Sequence, residues 1–477
     1  MLGEAGIAHL VHAPRSATRT AVVVEGADRA AVARLLSRRG DLRLAKVADG
    51  PVGPLIDPDS PSAAALLREA QVLGVVGPAE FVPDHVVERL KYAVEIEFWS
   101  RDSAGHLRPH RVAGAQSILD DLVPDRSVGL SSLGRFHDPT DPDQARDLFP
   151  TRSELLTPPI TACDLPIDAV YTWVDGRDPA WVARRDAHHD PAGTRHPEAA
   201  SAARYLSRDE LRYSIRSILA YAPWVRRIHV LTDSQRPAWL PQDTDRVRVV
   251  DHREVFAHPQ VLPVFNSHAI ESQLHRVPDL VNHFLYFNDD VLLGSPVQPE
   301  DFVSAVGHSA IHLSKLGVPV TRFPDLENPI WAAYRNVRRL IEQDFGRVPT
   351  SVTWHVPHSL RVDVLEEMAQ RYAEPWRRTE ASRFRDDGDL SPTSNFYQYF
   401  AWFTGRAFLG QLTYSYLNLA AAGVRQRLDR LAAMRAHQVL CLNDSDAQAE
   451  EESALDAAVG GFLRAYLPLP GPHESPA

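Results

Sequence analysis

Phe284–Pro296 reads FLYFNDDVLLGSP, an apolar run that delivers Asn288, Asp289 and Asp290 to its end and then turns apolar again. A strand that ends in two adjacent carboxylates has a natural place in an open α/β sheet. Ligands sit there beyond the carboxyl ends of the strands, where hard oxygen ligands suit Mg²⁺ or Mn²⁺. The same three residues also suit a plain turn, since Asn and Asp bond their own backbone. The apolar flanks Tyr286-Phe287 and Val291-Leu292-Leu293 weigh against the turn, because a carboxylate among apolar walls must be paired, metal-bound or protonated.

Upstream of this run, IDAVYTWV from Ile167 is a first strand, and its end, Asp175-Gly176, sets a tight turn and a carboxylate at the sheet's ligand edge. Tyr171, Trp173 and Trp181 can stack on a base or fill core. Ser207-Arg208-Asp209-Glu210 reads as a capping box. It precedes a helix whose apolar face is Leu211, Ile215, Ile218, Leu219 and Ala222, ending before Pro223. The strands RRIHVLTD and RVRVVDH follow, then a helix over Ser267 to Val277. Alternation of this kind predicts a doubly wound α/β core. In the last helix His268, Glu271 and His275 share one face, either as a metal triad or as a simple Glu–His pair.

The 477 residues, 44% hydrophobic and 24% charged, predict a globular chain of two or more domains. A net charge of -11 argues against a nucleic-acid partner, which usually requires a basic stripe. Only Lys46, Lys91 and Lys315 are lysines, so arginine abundance by itself says little about phosphate binding. Cys163 and Cys441 are too few for a disulfide framework or a thiolate metal site. With no basic-then-apolar leader and no apolar stretch near the roughly 18 residues of a membrane span, a cytoplasmic protein is expected, with room for peripheral contact with a membrane export complex.

Residues 1–122 read as a small α/β accessory domain: TAVVVEG, a helix over ADRAAVARLLSRR, LRLAKV, a helix around Ala63 to Leu73, and the alternating strand YAVEIEFW. No catalytic signature lies in it. Residues 123–165, rich in Pro, Asp, Ser and Gly, read as a linker. The catalytic domain is expected over 166–446. Residues 447–477 follow, as a helix ending at Tyr466 and a frayed tail.

Five segments together resemble the four signature regions of the Stealth family of sugar-1-phosphate transferases. They are IDAVYTWVDGRDP, RYLSRDELRYSIRSILAYAPWVRRIHVLTDSQRPAWL, LPVFNSHAIESQLHRVPDLVNHFLYFNDDV, VPHSLRVDVLEEM with SRFRDDGDLSPTSNFYQYFAW, and LCLNDSD. The resemblance implies a glycosyltransferase-A-like Rossmannoid core. It also implies transfer of a sugar 1-phosphate from a UDP-sugar to a saccharide hydroxyl with release of UMP. Asp289 and Asp290, with Asp444, would hold the metal. His358 matches the catalytic histidine, and as the residue before an amphipathic helix over Leu360 to Tyr372 it would stay neutral. Arg385 would grip the transferred phosphate, or else pair at the surface with Asp386 or Asp387. Tyr171, Trp173, Asp175, Gly176, Asn266 and Ser267 would form the donor pocket. One departure from the family pattern is the Arg-, His- and Ala-rich segment 183–205, which reads as a mobile loop or a solvated linker. The alternatives are a metal-dependent glycosyltransferase that releases UDP and a non-enzymatic protein that keeps the fold.

Overall fold

A computed structural model describes residues 1–12, 20–47, 54–77, 93–110, 118–129, 148–158, 160–188, 205–318, 329–444 and 449–475. Most of the 183–205 segment therefore lies outside the described residues. The chain divides into two compact units, Met1–Ala162 and Cys163–Ala477.

In the first unit one sheet runs in the order His9–His12, Ala21–Glu25, Val94–Arg101, Val72–Val76, Arg43–Lys46, and only the second and third strands pair in parallel. Helices Arg29–Leu36 and Pro61–Glu69 cover it through Val32, Leu36, Ala63 and Leu67. The expected helix to Leu73 stops at Glu69, because the β-rich run VLGVV enters the sheet as Val72–Val76. Part of the stretch expected as linker is ordered. Arg126–Gly129 pairs with Leu148–Thr151, and the Thr151 hydroxyl donates to the Val11 carbonyl at 2.6 Å.

The second unit is built on a five-stranded sheet. Its strands are β1 (Ile167–Thr172), β2 (Ile228–Thr232), β3 (Val247–Asp251), β4 (His283–Asn288) and, further along the chain, His358–Arg361. The order is β3-β2-β1-β4 followed by the antiparallel edge His358–Arg361, and β1 to β4 are parallel. This bears out the expected Rossmannoid α/β core. Strands covered on both faces must be apolar throughout. Accordingly Ala169 and Tyr171 face helix Glu210–Tyr221, while Val170 joins the cluster of helix Val362–Arg371 on the other side. Asp168 is the polar exception inside β1, held by Arg226 at 2.7 Å and His229 at 3.3 Å.

A second sheet shapes the site. Strand β5 (Val291–Leu293) pairs antiparallel with Val439–Asn443, which in turn pairs in parallel with Tyr414–Asn418. Because Val291 sits opposite Cys441 and the Leu442 amide donates to the Asp290 carbonyl, the end of β4 lies beside Asn443. Helix Ala449–Tyr466 buries Leu455, Val459, Phe462 and Leu463 in the same core. The tail expected to fray is docked: Glu474 accepts from Arg216 at 2.6 Å, and His473 packs edge-on against Trp239.

Candidate active site

A cavity of about 440 Å³ opens at the carboxyl ends of the parallel strands, where an open α/β sheet binds ligands. Each parallel strand contributes at its carboxyl end: Thr172, Trp173 and Val174 from the end of β1, Asp233 after β2, His252 after β3, and Asn288, Asp289 and Asp290 from the end of β4. Ser267, Arg385 and Asp444 also line it. Thus Trp173, Ser267, Asp289, Asp290, Arg385 and Asp444, singled out from the sequence, stand around one space.

Its chemistry is dominated by acids, of which Asp444 is paired with Arg208 while Asp289 and Asp290 have no cationic partner within salt-bridge distance among the described residues. Burial, Glu210 and Asp290 all push the Asp289 carboxyl up. Burial also raises Asp290, opposed by the His355 imidazole and by the Asn443 amide 3.5 Å away. Asp290 Oδ1 and Asp444 Oδ1 are buried without a hydrogen-bond partner among the described residues. Orphaned carboxylate oxygens facing repelling neighbours fit a hard divalent cation. Among the described residues no three His, Cys, Asp or Glu side chains are already gathered at metal distance. One reason is that Asp444 Oδ2 is turned to Arg208 at 2.6 Å.

Arg385 is no surface pair with Asp386 or Asp387. It reaches inward and donates to Ser267 Oγ at 3.0 Å, and its Nε is buried without an acceptor among the described residues. Burial lowers its pKa, while Glu271 acts the other way. Asn266 supports the site from behind: its Oδ1 accepts from the His268 amide, and its Nδ2 donates to Asp389 at 2.8 Å.

Other expected residues lie outside the cavity. Tyr171 is fully buried, stacked on Phe287 with ring centroids 5.0 Å apart, and bonds Ser214. Asp175 caps the Arg177 amide. Gly176 allows close approach to the Tyr205 backbone, where an added Cβ would collide with the Tyr205 carbonyl. His358 lies in the edge strand rather than before a helix, which begins at Val362. Its Nε2 is 3.3 Å from the Trp354 carbonyl, and its Nδ1 is buried without a partner among the described residues. Burial, not a helix end, holds it neutral, at a pKa of about 4. The His268–Glu271–His275 triad does not form. Its helix ends at Glu271, His268 faces Asp389, Glu271 accepts from Thr393, and His275 lies against Trp376.

The structure adds residues that the sequence hid. His355, three residues before His358, lines the cavity and packs edge-on to Tyr416 at 5.6 Å. Glu210 lines it too. It does not close a capping box, because the helix starts at Glu210 itself after Asp209 in the left-handed region, and its carboxylate accepts from the Arg208 amide. Burial lifts Glu210 to about 7, with Asp290 pushing the same way. Arg208 is the third. Glu210, an acid in a first helical turn, reads as a dipole partner, so only the fold shows that its charge acts on Asp289.

The sequence matches four conserved regions described for Stealth proteins: region 1 over residues 165–189, region 2 over 204–311, region 3 over 354–401 and region 4 over 429–477. It is 39% identical over 434 residues to an exopolysaccharide phosphotransferase of Streptomyces coelicolor, covering 88% of this chain and 79% of that protein. A second protein of that name and organism is 39% identical over 490 residues, covering 99% and 80%. Among solved structures, the galactosyltransferase LgtC in complex with donor and acceptor sugar analogues aligns with a TM-score of 0.31 at 12% identity, covering 63% of this chain and 96% of that one. No helix among the described residues is long and apolar enough to cross a membrane. With relatives this similar along most of both chains and all four regions in order, this chain belongs to the Stealth protein family.

Proposed function

We propose that the chain is a phosphotransferase that moves a sugar 1-phosphate from a UDP-sugar to a saccharide hydroxyl, forming a phosphodiester and releasing UMP, in exopolysaccharide or capsule synthesis. The observation that carries this reading is the single cavity that combines Asp289, Asp290 and Asp444 with Arg385 and His355 at the carboxyl ends of the sheet. Phosphoryl transfer requires little more than positioned reactants, charge neutralisation and a proton acceptor. The two Streptomyces relatives, named exopolysaccharide phosphotransferases, support the same class.

In this reading Trp173 offers its ring to the uracil. Asp289, Asp290 and Asp444 would hold a Mg²⁺ or Mn²⁺ ion, which would supply positive charge to offset that of the donor's phosphates. Arg385 meets the transferred phosphate with its guanidinium fork, and Ser267 orients it. His355, not His358, takes the proton from the acceptor hydroxyl, because it is the histidine of the pair that lines the cavity. The hydroxyl oxygen then forms its bond to the phosphorus nearest the sugar, the phosphoanhydride bond breaks, and UMP leaves with the anomeric bond intact. The unit before residue 163 serves as an accessory domain. The reaction takes place in the cytoplasm, beside a membrane export complex.

The test is the nucleotide released when purified protein, Mg²⁺ or Mn²⁺, candidate UDP-sugars and saccharide acceptors are incubated together. UMP release with phosphorus in the product is expected. UDP release with none would make the chain an ordinary glycosyltransferase and overturn the proposal.

A further inference from the structure

Arg208 lies just before helix Glu210–Tyr221 and lines the cavity, with only 2% of its side chain exposed. Two of its three guanidinium nitrogens are fixed by carboxylates. One terminal nitrogen donates to Asp444 at 2.6 Å, and Nε donates to Asp456 of helix Ala449–Tyr466, also at 2.6 Å. The second terminal nitrogen is buried with no acceptor among the described residues.

An arginine buried to this degree normally spends all its donors, because an unmet N–H in a low-dielectric site is costly. Asp444 and Asp456 fix the plane of the fork and leave one edge available in the cavity. A guanidinium locked in this way suits a planar, charge-assisted contact with a phosphate oxygen. Arg385 repeats the pattern with an orphaned Nε, and it belongs to a different segment of the chain.

We propose that Arg208 is a second phosphate-binding arginine, contacting the diphosphate of the nucleotide donor, and that Asp456 is the residue that positions it. The inference rests on the donor reading above but adds a ligand contact to it. It also gives the C-terminal helix a function, since that helix supplies the carboxylate that holds the fork. Asp444 would then have two neighbours when the site is loaded, Arg208 on one oxygen and the cation on the oxygen now orphaned.

The test compares UDP with uridine, which lacks phosphate, as ligands of the full chain in saturating Mg²⁺, by calorimetric titration. Arg208→Lys keeps the charge and loses the fork, so it should weaken UDP binding about 10- to 100-fold and leave uridine binding unchanged. Asp456→Asn keeps Arg208 but unpins it, and should weaken UDP binding by a smaller factor, again sparing uridine. Thermal unfolding of both variants guards against misfolding. UDP binding by Arg208→Lys equal to that of the unaltered chain, or equal losses for UDP and uridine, would overturn the proposal. Failure of the unaltered chain to bind UDP would instead refute the donor reading on which it rests.

Discussion

Glu210→Gln should stabilise the metal-free protein, because the native carboxyl is held where ionisation is unfavourable. The side chain is 5% exposed, and its pKa moves from 4.5 to about 7 through burial, with Asp290 adding to it. For an acid whose folded pKa lies above its unfolded value, the penalty is absent below the unfolded pKa. It grows as pH rises between the two values and is complete above the folded one. At about 1.4 kcal/mol per pKa unit, the penalty is at most about 3 kcal/mol at pH 8 and below about 1 kcal/mol at pH 5. Glutamine keeps the acceptor that bonds the Arg208 amide, so the substitution removes charge with little change in shape. Urea unfolding with chelator present, followed by tryptophan fluorescence, should show a higher midpoint for the variant at pH 8 and a much smaller difference at pH 5. Adding Mg²⁺ or Mn²⁺ should narrow the gap at pH 8, since a cation offsets the same repulsion in the native protein. A variant no more stable than the parent at pH 8, or equally stabilised at both pH values, would refute the electrostatic reasoning.

His355→Ala should lower turnover by about 10²- to 10⁴-fold with little change in UDP affinity, the usual contribution of a general base. His358→Ala should instead show its main effect as a lower melting temperature, because that ring fills space beside Tyr286; the reverse assignment of effects would return the base to His358. In acid, His252, His275, His312, His358 and His473 are each held neutral by burial, at about 4 against 6.5. The unfolded chain binds protons first, so stability conferred by these rings is present above pH 6.5 and lost as pH falls toward 4. Urea midpoints measured from pH 7 to 4.5 should fall, and a flat profile would count against buried neutral histidines.

The core was legible because its strands advertise themselves. IDAVYT, IHVLT and HFLYFN are buried almost residue by residue, as a parallel sheet covered on both faces requires. The acid pair at the end of the last of them marked the ligand edge, and the structure puts it there. Misreadings arose where local pattern and tertiary context disagree. LLREAQVLG continues a helical rhythm past Glu69, yet its second half completes a sheet. PLPGPHESPA has the composition of a loose end, but Glu474 pairs with two arginines, the buried Arg216 and the partly buried Arg212. His268, Glu271 and His275 shared a face only on a helix that ends too early.

The histidine assignment shows why the site is harder to read than the fold. His355 and His358 flank Val356-Pro357, and the family resemblance pointed to His358. What separates them is the edge strand, which starts at His358 and pairs it with Tyr286 of β4. The strand carries His358 inward, to the Trp354 carbonyl, and leaves His355 on the approach to it. There Trp354, stacked on His312 and Tyr414, fixes the backbone that presents the His355 ring to Asp290. A similar placement turns Glu210 and Arg208 inward, since the left-handed Asp209 bends the chain just before the helix. Each of these residues gains its place in the cavity from one nearby backbone feature. A pattern of residue types therefore locates the segments that build the cavity, while the ladder and the turn decide which side chain enters it.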